Sequence, residues 1–153
     1  MPAMMNLHDL RLAVSSTLTI AARKWRRTSD SVLTAYHVSE ACATPLLIVG
    51  RLGEAVRQVT LAEYVGIEGP SLVRLLDQLC AAGLVRRDED PDDRRAKTIT
   101  LTDAGRAVTE RMEADLRALR ARVLKSVSRA DLEATLRVLA AFNEAGNRDH
   151  AAS

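Results

Sequence analysis

The sequence predicts a mainly helical protein that carries one small β hairpin. Apolar residues make up 47% of the 153-residue chain, while Phe, Trp and Tyr together make up only 3%. The core therefore has to be built mainly from Leu, Val and Ala, a mixture that favours helices. Several long segments have apolar residues at three- and four-residue spacing, and two short ones, "LVRR" and "KTITLT", read as strands. The length fits one compact subunit.

The first half of the chain predicts two long helices. Apolar residues recur at helical spacing from Leu7 to Trp25, which predicts an amphipathic first helix. The segment "RRTSDSVLTAYH" then separates it from a second, mostly apolar helix, "EACATPLLIVGRLG", for which Ser39 is a suitable N-cap. Pro45 lies in the second turn of that helix, where a kink is possible.

A short helix, a longer helix and a hairpin follow. The short helix is predicted from Thr60 to Val65 and is broken by "GIEG". Pro70 suits the first position of the longer helix, because the N–H that it lacks would be unpaired there, and Gly83 is its expected stop. The two strands are joined by the turn-forming "DEDPDD", and two arginines complete the hairpin tip.

Two more helices complete the chain. Thr102 or Asp103 is expected to cap a long helix, and Ser128 a last one. Their inner apolar stripes are Val108, Met112, Leu116, Leu119 and Val123, and then Leu132, Leu136, Leu139 and Phe142. A short helix, a turn, a longer helix and a hairpin, in that order, are typical of a winged helix-turn-helix. The predicted fold is this motif flanked by long helices.

The helix that begins at Pro70 is the candidate reading element. Its polar residues lie away from the face formed by Leu72, Leu76 and Leu79. Such a face on an isolated helix is usually just solvated, but its place between a short helix and a hairpin favours entry into a DNA groove. Arg74 has the reach to pair with guanine or to hold a phosphate, and Val73 could touch a thymine methyl group.

The hairpin tip is the second candidate element. Arg94 and Arg95 suit the narrow, electronegative minor groove. From Arg86 to Lys97 five basic residues face five acidic ones, so the segment is neutral as a whole. Asp93 is placed to hold the guanidinium group of Arg95 by paired hydrogen bonds.

The block from Leu61 to Arg106 resembles the winged-helix core of MarR-type transcriptional regulators, particularly their SlyA-like branch. The most specific pieces are "GIEGPSLVRLLDQL", "DDRRAK" and "LTDAGR". Weaker similarity extends to "ARKWRR" and "SRADLEATLRVLAAF". The resemblance implies major-groove reading centred on Arg74 and minor-groove insertion of Arg95, braced by Asp93. The expected DNA-binding residues are Thr60, Pro70, Ser71, Val73, Arg74, Gln78, Asp93, Arg94, Arg95 and Lys97.

The resemblance also implies a homodimer and a small-molecule effector. Residues 1–30 and 103–153 would form the dimerisation helices around a winged helix-turn-helix at 31–102, and the dimer would bind a pseudo-palindromic operator. A small aromatic or phenolic acid would bind between the dimerisation helices and the winged helix. The expected pocket residues are Arg23, Trp25, Arg26, Ala43 and Leu47. Trp25 is at least as well explained as a packing residue of the dimer.

Other functions find less support in the sequence. Cys42 and Cys80 are 38 positions apart and fit no CxxC or zinc spacing; buried reduced thiols are the simple interpretation, and a redox-sensing regulator of the same fold is the alternative. A small enzyme is less expected, because GxSxG, HExxH and a glycine-rich phosphate loop are all missing. A winged fold that has lost DNA binding would lack the wing arginines, which this chain has.

No cofactor, metal or membrane is expected. The histidines His8, His37 and His150 are scattered along the chain. No apolar run approaches the roughly 20 residues that a membrane span needs, and the start of the chain lacks the pattern of a secretion signal. We therefore expect a bacterial-type cytoplasmic protein, associated with the nucleoid.

Overall fold

The computed structural model describes residues 4–151, except for the side chain of His150. Residues 1–3, 152 and 153, at the ends of the two predicted dimerisation ranges, lie outside the described residues. The chain forms two compact units, Met1–Arg117 and Ala118–Ser153. Within the described residues no single helix is both long and apolar enough to cross a bilayer; one pair, Leu7–Tyr36 with Glu40–Leu52, meets the criteria only jointly and is bent by 87°.

Helix α1 spans Leu7–Leu33 and is followed by a short 3-10 helix, Thr34–Tyr36. The segment that separates the two predicted helices is therefore itself mostly helical. Its hydroxyl groups bond back to carbonyl groups one turn earlier, as Thr28 does to Lys24 and Ser29 to Trp25, each at 3.0 Å. Serine and threonine can remain in a helix when their hydroxyl groups are satisfied in this way.

Helix α2 spans Glu40–Leu52 and begins as predicted. The Ser39 hydroxyl accepts a hydrogen bond from the backbone N–H of Cys42 at 3.3 Å, which confirms the predicted N-cap. Six of its thirteen residues are buried, including Pro45. It ends at Gly53, whose φ of 72° is one that glycine adopts easily.

The helix-turn-helix follows a strand that the sequence did not predict. Strand β1 is only Val56–Arg57, and helix α3 begins directly after it, at Gln58–Val65. Helix α4 spans Gly69–Ala81, with Pro70 in its first turn. Both helices and the predicted break between them are present.

The predicted hairpin is confirmed as strands β2, Val85–Glu89, and β3, Lys97–Leu101. All pairing is antiparallel, and β3 lies in the centre between β1 and β2. Val56 faces Ile99 across one ladder, and Val85 faces Leu101 across the other. The first three of these residues are buried, as are Leu46 of α2 and the helix-turn-helix residues Leu61, Leu72 and Leu76.

Helix α5, Asp103–Val123, is joined tightly to the hairpin. Thr102 caps it, because its hydroxyl accepts from the N–H of Gly105 at 3.0 Å and donates to the carbonyl of Gly83 at 2.6 Å. A Cβ atom on Gly105 would lie 1.9 Å from the carbonyl oxygen of Leu84, so only glycine fits there. On the predicted inner stripe Met112, Leu116 and Leu119 are buried, while Val123 is exposed.

Helix α6, Arg129–Ala151, begins at the predicted cap, where the Ser128 hydroxyl accepts from the N–H of Asp131 at 3.1 Å. Its predicted apolar stripe is only partly covered. Leu132 and Leu139 are half-buried, whereas Leu136 is 67% exposed and Phe142 is exposed as well. One face of this helix therefore leaves apolar surface open in the single chain.

Candidate nucleic-acid interface

Helix α4 has the two faces that the sequence predicts. Leu72, Leu76 and Leu79 are buried, and Arg74 and Gln78 are exposed on the outward side. The guanidinium group of Arg74 has no ion pair within the described part of the chain, so its charge is available to a ligand.

One flank of α4 is tied to the hairpin. Nη1 of Arg87, on β2, lies 3.0 Å from Oδ1 of Asp77. Nε and Nη2 of Arg87 are buried and have no hydrogen-bond partner among the described residues. The link neutralises an acidic side chain that would otherwise stand unpaired on the face that Arg74 occupies.

The other flank of α4 is tied to α2. Cys42 is buried, and its Sγ donates to Oε1 of Gln78 at 3.4 Å; the carbonyl of Leu75 lies 3.8 Å from the same sulfur. Gln78 is exposed, as a DNA-reading residue must be, but its carbonyl oxygen already has a partner inside the protein. This contact has no signal in the sequence, because it joins residues 36 positions apart on two different helices.

The wing tip is a compact loop between β2 and β3. The N–H of Asp90 donates to the carbonyl of Ala96 at 3.0 Å, and the N–H of Ala96 donates to the carbonyl of Asp93 at 2.9 Å. Arg94 and Arg95 are exposed within this loop. Neither guanidinium group has an ion pair within the residues that the structure describes.

Asp93 braces the tip differently from what was predicted. Its Oδ1 accepts from the backbone N–H of Arg95 at 3.0 Å, not from the guanidinium group. A short acidic side chain readily bonds the backbone two residues on, which closes a turn. The expected paired bond between side chains was therefore wrong, and the guanidinium group of Arg95 has no ion pair among the described residues.

A buried carboxylate holds the base of the wing. Asp90 is 6% exposed, and it accepts from the N–H of Asp92 at 2.9 Å and from Nε of Arg57 at 2.7 Å. The Asp92 N–H, followed by the Arg57 guanidinium group, holds the pKa of the Asp90 carboxyl below its usual value. The sequence did not single out either residue for this role, because Arg57 lies on the strand that was not predicted.

The remaining predicted DNA-binding residues differ in exposure. Pro70 is exposed in the first turn of α4, whereas Thr60, Ser71 and Val73 are half-buried. Lys97 is exposed on β3, and its Nζ lies 3.7 Å from Oε1 of Glu89. These residues belong to the same winged helix, but their contact with DNA stays a prediction.

The predicted effector pocket is divided between surface and core. Arg23, Trp25 and Arg26 are exposed on α1, Trp25 by 38%. Ala43 and Leu47 are buried in α2. Their role in ligand binding stays a prediction.

Polar contacts fasten α5 to the segment before the helix-turn-helix. The hydroxyl of Tyr36 donates to Asp115, and the guanidinium group of Arg111 lies 5.8 Å from the centre of the Tyr36 ring. The hydrogen bond to Asp115 raises the pKa of Tyr36. In addition, Nε of Arg51, on α2, lies 2.5 Å from Oε1 of Glu113.

An exposed helix face beside an arginine-tipped wing defines a DNA-binding winged-helix protein. The family model described as "MarR family" matches residues 41–96. The solved transcriptional regulator PA3341 is 35% identical to the chain, with 86% of this chain and 98% of that one covered and a TM-score of 0.76. The chain belongs to the MarR family of transcriptional regulators. This membership confirms the prediction of a regulator and not an enzyme.

Two more distant structures share the fold. A mutant E. coli MarR in complex with operator DNA is 22% identical, with 88% of this chain and 99% of that one covered and a TM-score of 0.70. CouR from Rhodococcus jostii RHA1, bound to p-coumaroyl-CoA, is 21% identical, with 82% and 88% covered and a TM-score of 0.72.

Proposed function

We propose that the protein is a ligand-responsive transcriptional regulator that binds a pseudo-palindromic operator as a homodimer and represses from it in the cytoplasm, at the nucleoid. The observation that carries this proposal is the set of three exposed guanidinium groups, Arg74 on α4 and Arg94 and Arg95 on the wing, which have no ion pair within the described residues. Unpaired arginines beside a groove-sized helix suit DNA better than they suit an ordinary surface.

In this proposal α4 enters the major groove and the wing reaches the adjacent minor groove. The E. coli MarR complex with operator DNA supports DNA as the ligand of this fold. Arg74 would contact base edges or phosphate, and Arg95 would insert at the wing. The "DDRRAK" and "LTDAGR" pieces are our reason to propose the SlyA-like branch of the family.

The homodimer is supported by apolar surface that the single chain leaves open. Exposed apolar residues recur along α1 at Leu7, Leu10, Val14 and Trp25, and α6 exposes Leu136 and Phe142. Large apolar side chains at helical spacing favour a partner helix, and a second copy of the chain provides one by two-fold symmetry.

The effector is proposed to be a planar aromatic carboxylate or a related acyl compound. CouR binds p-coumaroyl-CoA, an aromatic acyl compound, which supports this class of ligand for the fold. Arg23 and Arg26 would offer a partner for a carboxylate beside the Trp25 ring. Calorimetric titration of benzoates and hydroxycinnamates, with and without operator DNA, tests this: bound DNA should weaken ligand binding, and no binding at millimolar concentration would contradict it.

The thiol-based alternative finds no supporting contact within the part of the chain that the structure describes. A reactive thiol needs nearby positive charge and exposure, whereas Cys42 is buried and donates to an amide. Cys80 is only half-buried, and it lies on α4 beside the core residue Leu79.

The DNA-binding proposal is tested by Arg95→Ala. We expect operator affinity to fall by about 1 to 3 kcal/mol, because the side chain would no longer reach the minor groove. The control is Arg122→Ala, which removes the same charge from α5, outside the winged helix. Mobility-shift titration with the DNA upstream of its own gene gives the affinities. Equal affinity for Arg95→Ala and the control would contradict the wing assignment.

A further inference from the structure

The contact between Cys42 and Gln78 fixes more than the packing of two helices. Gln78 lies one turn beyond Arg74 on α4, so both side chains belong to the outward face. Cys42 approaches from α2 and is buried, with its Sγ 3.4 Å from Oε1 of Gln78. A buried side chain therefore touches an exposed residue of the reading helix.

The chemistry of the two groups decides which end of the amide faces inward. A thiol carries one hydrogen to donate, and a glutamine amide has an oxygen that accepts and an NH₂ group that donates. Sγ lies closer to Oε1 of Gln78, at 3.4 Å, than to the Leu75 carbonyl oxygen, at 3.8 Å, so the thiol donates to Oε1, the oxygen is turned toward α2 and the NH₂ group is turned away from the thiol. The presented end of Gln78 then has only donors.

This orientation matters because bases differ in what they present in the major groove. A glutamine that pairs with adenine in two places uses its oxygen for N6 and its NH₂ group for N7, whereas guanine presents two acceptors, O6 and N7. We propose that Cys42 is a specificity-determining residue: its thiol holds the Gln78 amide so that the protein selects guanine over adenine at the base that Gln78 meets. This inference rests on the proposed DNA-binding function.

The test is selection from a random double-stranded DNA library, followed by sequencing, with the full-length protein. The position whose preference disappears in Gln78→Ala identifies the base that Gln78 reads. At that position we expect the wild type to select guanine. Cys42→Ser keeps a donor and should select the same base, whereas Cys42→Ala frees the amide and should lower the preference for guanine over adenine by about fivefold or more.

Three further variants separate specificity from folding. Cys80→Ala removes the other free thiol of the chain, on α4 itself, and should keep the wild-type preference. Gln78→Glu alters no buried group and presents only acceptors, so it should turn the preference toward a base that donates, such as cytosine. The double variant Cys42→Ala with Gln78→Ala should match Gln78→Ala alone, because the thiol would act only through the amide.

The results that would overturn the inference are distinct. The role of Cys42 would be refuted if the wild type selected adenine at that position. It would also be refuted if Cys42→Ala kept the wild-type base preference while Gln78→Ala lost it. If Gln78→Ala altered no position, Gln78 would not be a reading residue and the inference would fall, while DNA binding stood. If the wild type enriched no sequence at all, the proposed function itself would fail.

Discussion

Gly105 is the residue on which the junction between the wing and α5 depends. The first turn of α5 lies so close to the end of the α4–β2 connection that a Cβ at this position would meet the Leu84 carbonyl. The same junction uses the N–H of Thr102, which donates to the Leu84 oxygen at 3.1 Å. A single missing methyl group therefore permits the direct attachment of the hairpin to a long helix.

We expect Gly105→Ala to destabilise the fold by about 1 to 3 kcal/mol or more, because backbone and helix would have to separate. Gly146→Ala is the matched control: this glycine lies in α6, and a Cβ there would meet nothing within 4 Å. That change should be neutral or stabilising by up to about 1 kcal/mol, since alanine favours a helix. Urea unfolding of both variants measures the difference, and equal stability would refute the close packing.

Individual side-chain roles could be predicted from the sequence only in part. The buried leucines of α4 and the caps at Ser39 and Ser128 follow from local spacing, and the structure confirms them. Which atom of Asp93 meets which atom of Arg95 does not follow, because a carboxylate can bond backbone or guanidinium at that separation. The Cys42 contact joins distant helices and leaves no local pattern.

At the scale of elements, α4 is held between α2 and β2 by one polar contact on each flank. The contact between Asp77 and Arg87 lies on the hairpin side. The side chain of Arg87 is 25% exposed, whereas that of Asp77 is 59% exposed, so Arg87 is the more buried partner. The buried guanidinium group thus draws an acidic side chain toward the sheet. Its negative charge is thereby kept from acting alone on the face proposed to meet phosphate.

Arg87→Met tests this arrangement. We expect weaker DNA binding, because Asp77 would stand unpaired beside phosphate groups, and we expect Asp77→Asn in the same chain to restore most of the loss. The coupling between the two changes in a double-mutant cycle should be about 0.5 to 3 kcal/mol. Mobility-shift titration of the four proteins measures it. If the changes in DNA-binding free energy of the two single variants simply added in the double variant, Arg87 would not act through Asp77.

The wing should be sensitive to acid through Asp90. Its folded pKa is lowered, so the ionised carboxylate stabilises the fold above the unfolded pKa of about 3.9, and this stabilisation is lost as the pH falls through the folded pKa. At neutral pH the free energy of unfolding should be larger for the wild type than for Asp90→Asn. This difference in unfolding free energy should become smaller at acidic pH. Asp92→Asn, which keeps the backbone N–H, is the control. A gap that does not change with pH would contradict the role of the carboxylate.

Among the elements, those with local signals were predicted well. The helix-turn-helix and the hairpin have a clear pattern of caps, breaks and alternation. Strand β1 is two residues long and exists only through its pairing with β3, so it has no signal of its own. The turns of α1 that follow Trp25 contain serine and threonine residues whose hydroxyl groups bond back to carbonyl groups of the same helix. Because serine and threonine also commonly begin a loop, the sequence pattern does not show that the helix continues there.

At the scale of the whole molecule, the proposed dimer is the main expectation to test. Light scattering at micromolar concentration should give twice the chain mass of 16.7 kDa. Leu136→Asp should shift the protein toward monomer, because a charge buried in an interface costs several kcal/mol. Since Leu136 is 67% exposed in the single chain, a protein that works as a monomer would tolerate this change.

The control is Ala141→Asp, an exposed position about 140° around α6 from Leu136, which should leave the mass unchanged. A monomeric wild type that still binds its operator tightly would refute the dimer. So would a Leu136→Asp variant that keeps the full dimer mass.

The charge balance of the wing sheet bears on how the protein is distributed in a cell. Arg57, Arg86, Arg87 and Lys97 each pair with an acidic residue, so little of their charge is available to phosphates. Affinity for arbitrary DNA grows with the number of phosphates neutralised, and a genome offers roughly a million or more such competing sites. On the proposed DNA-binding function, we therefore expect a wing with paired charges to be held only briefly at each of them. Most copies would then remain unbound and able to search, so that few molecules would be needed to fill an operator.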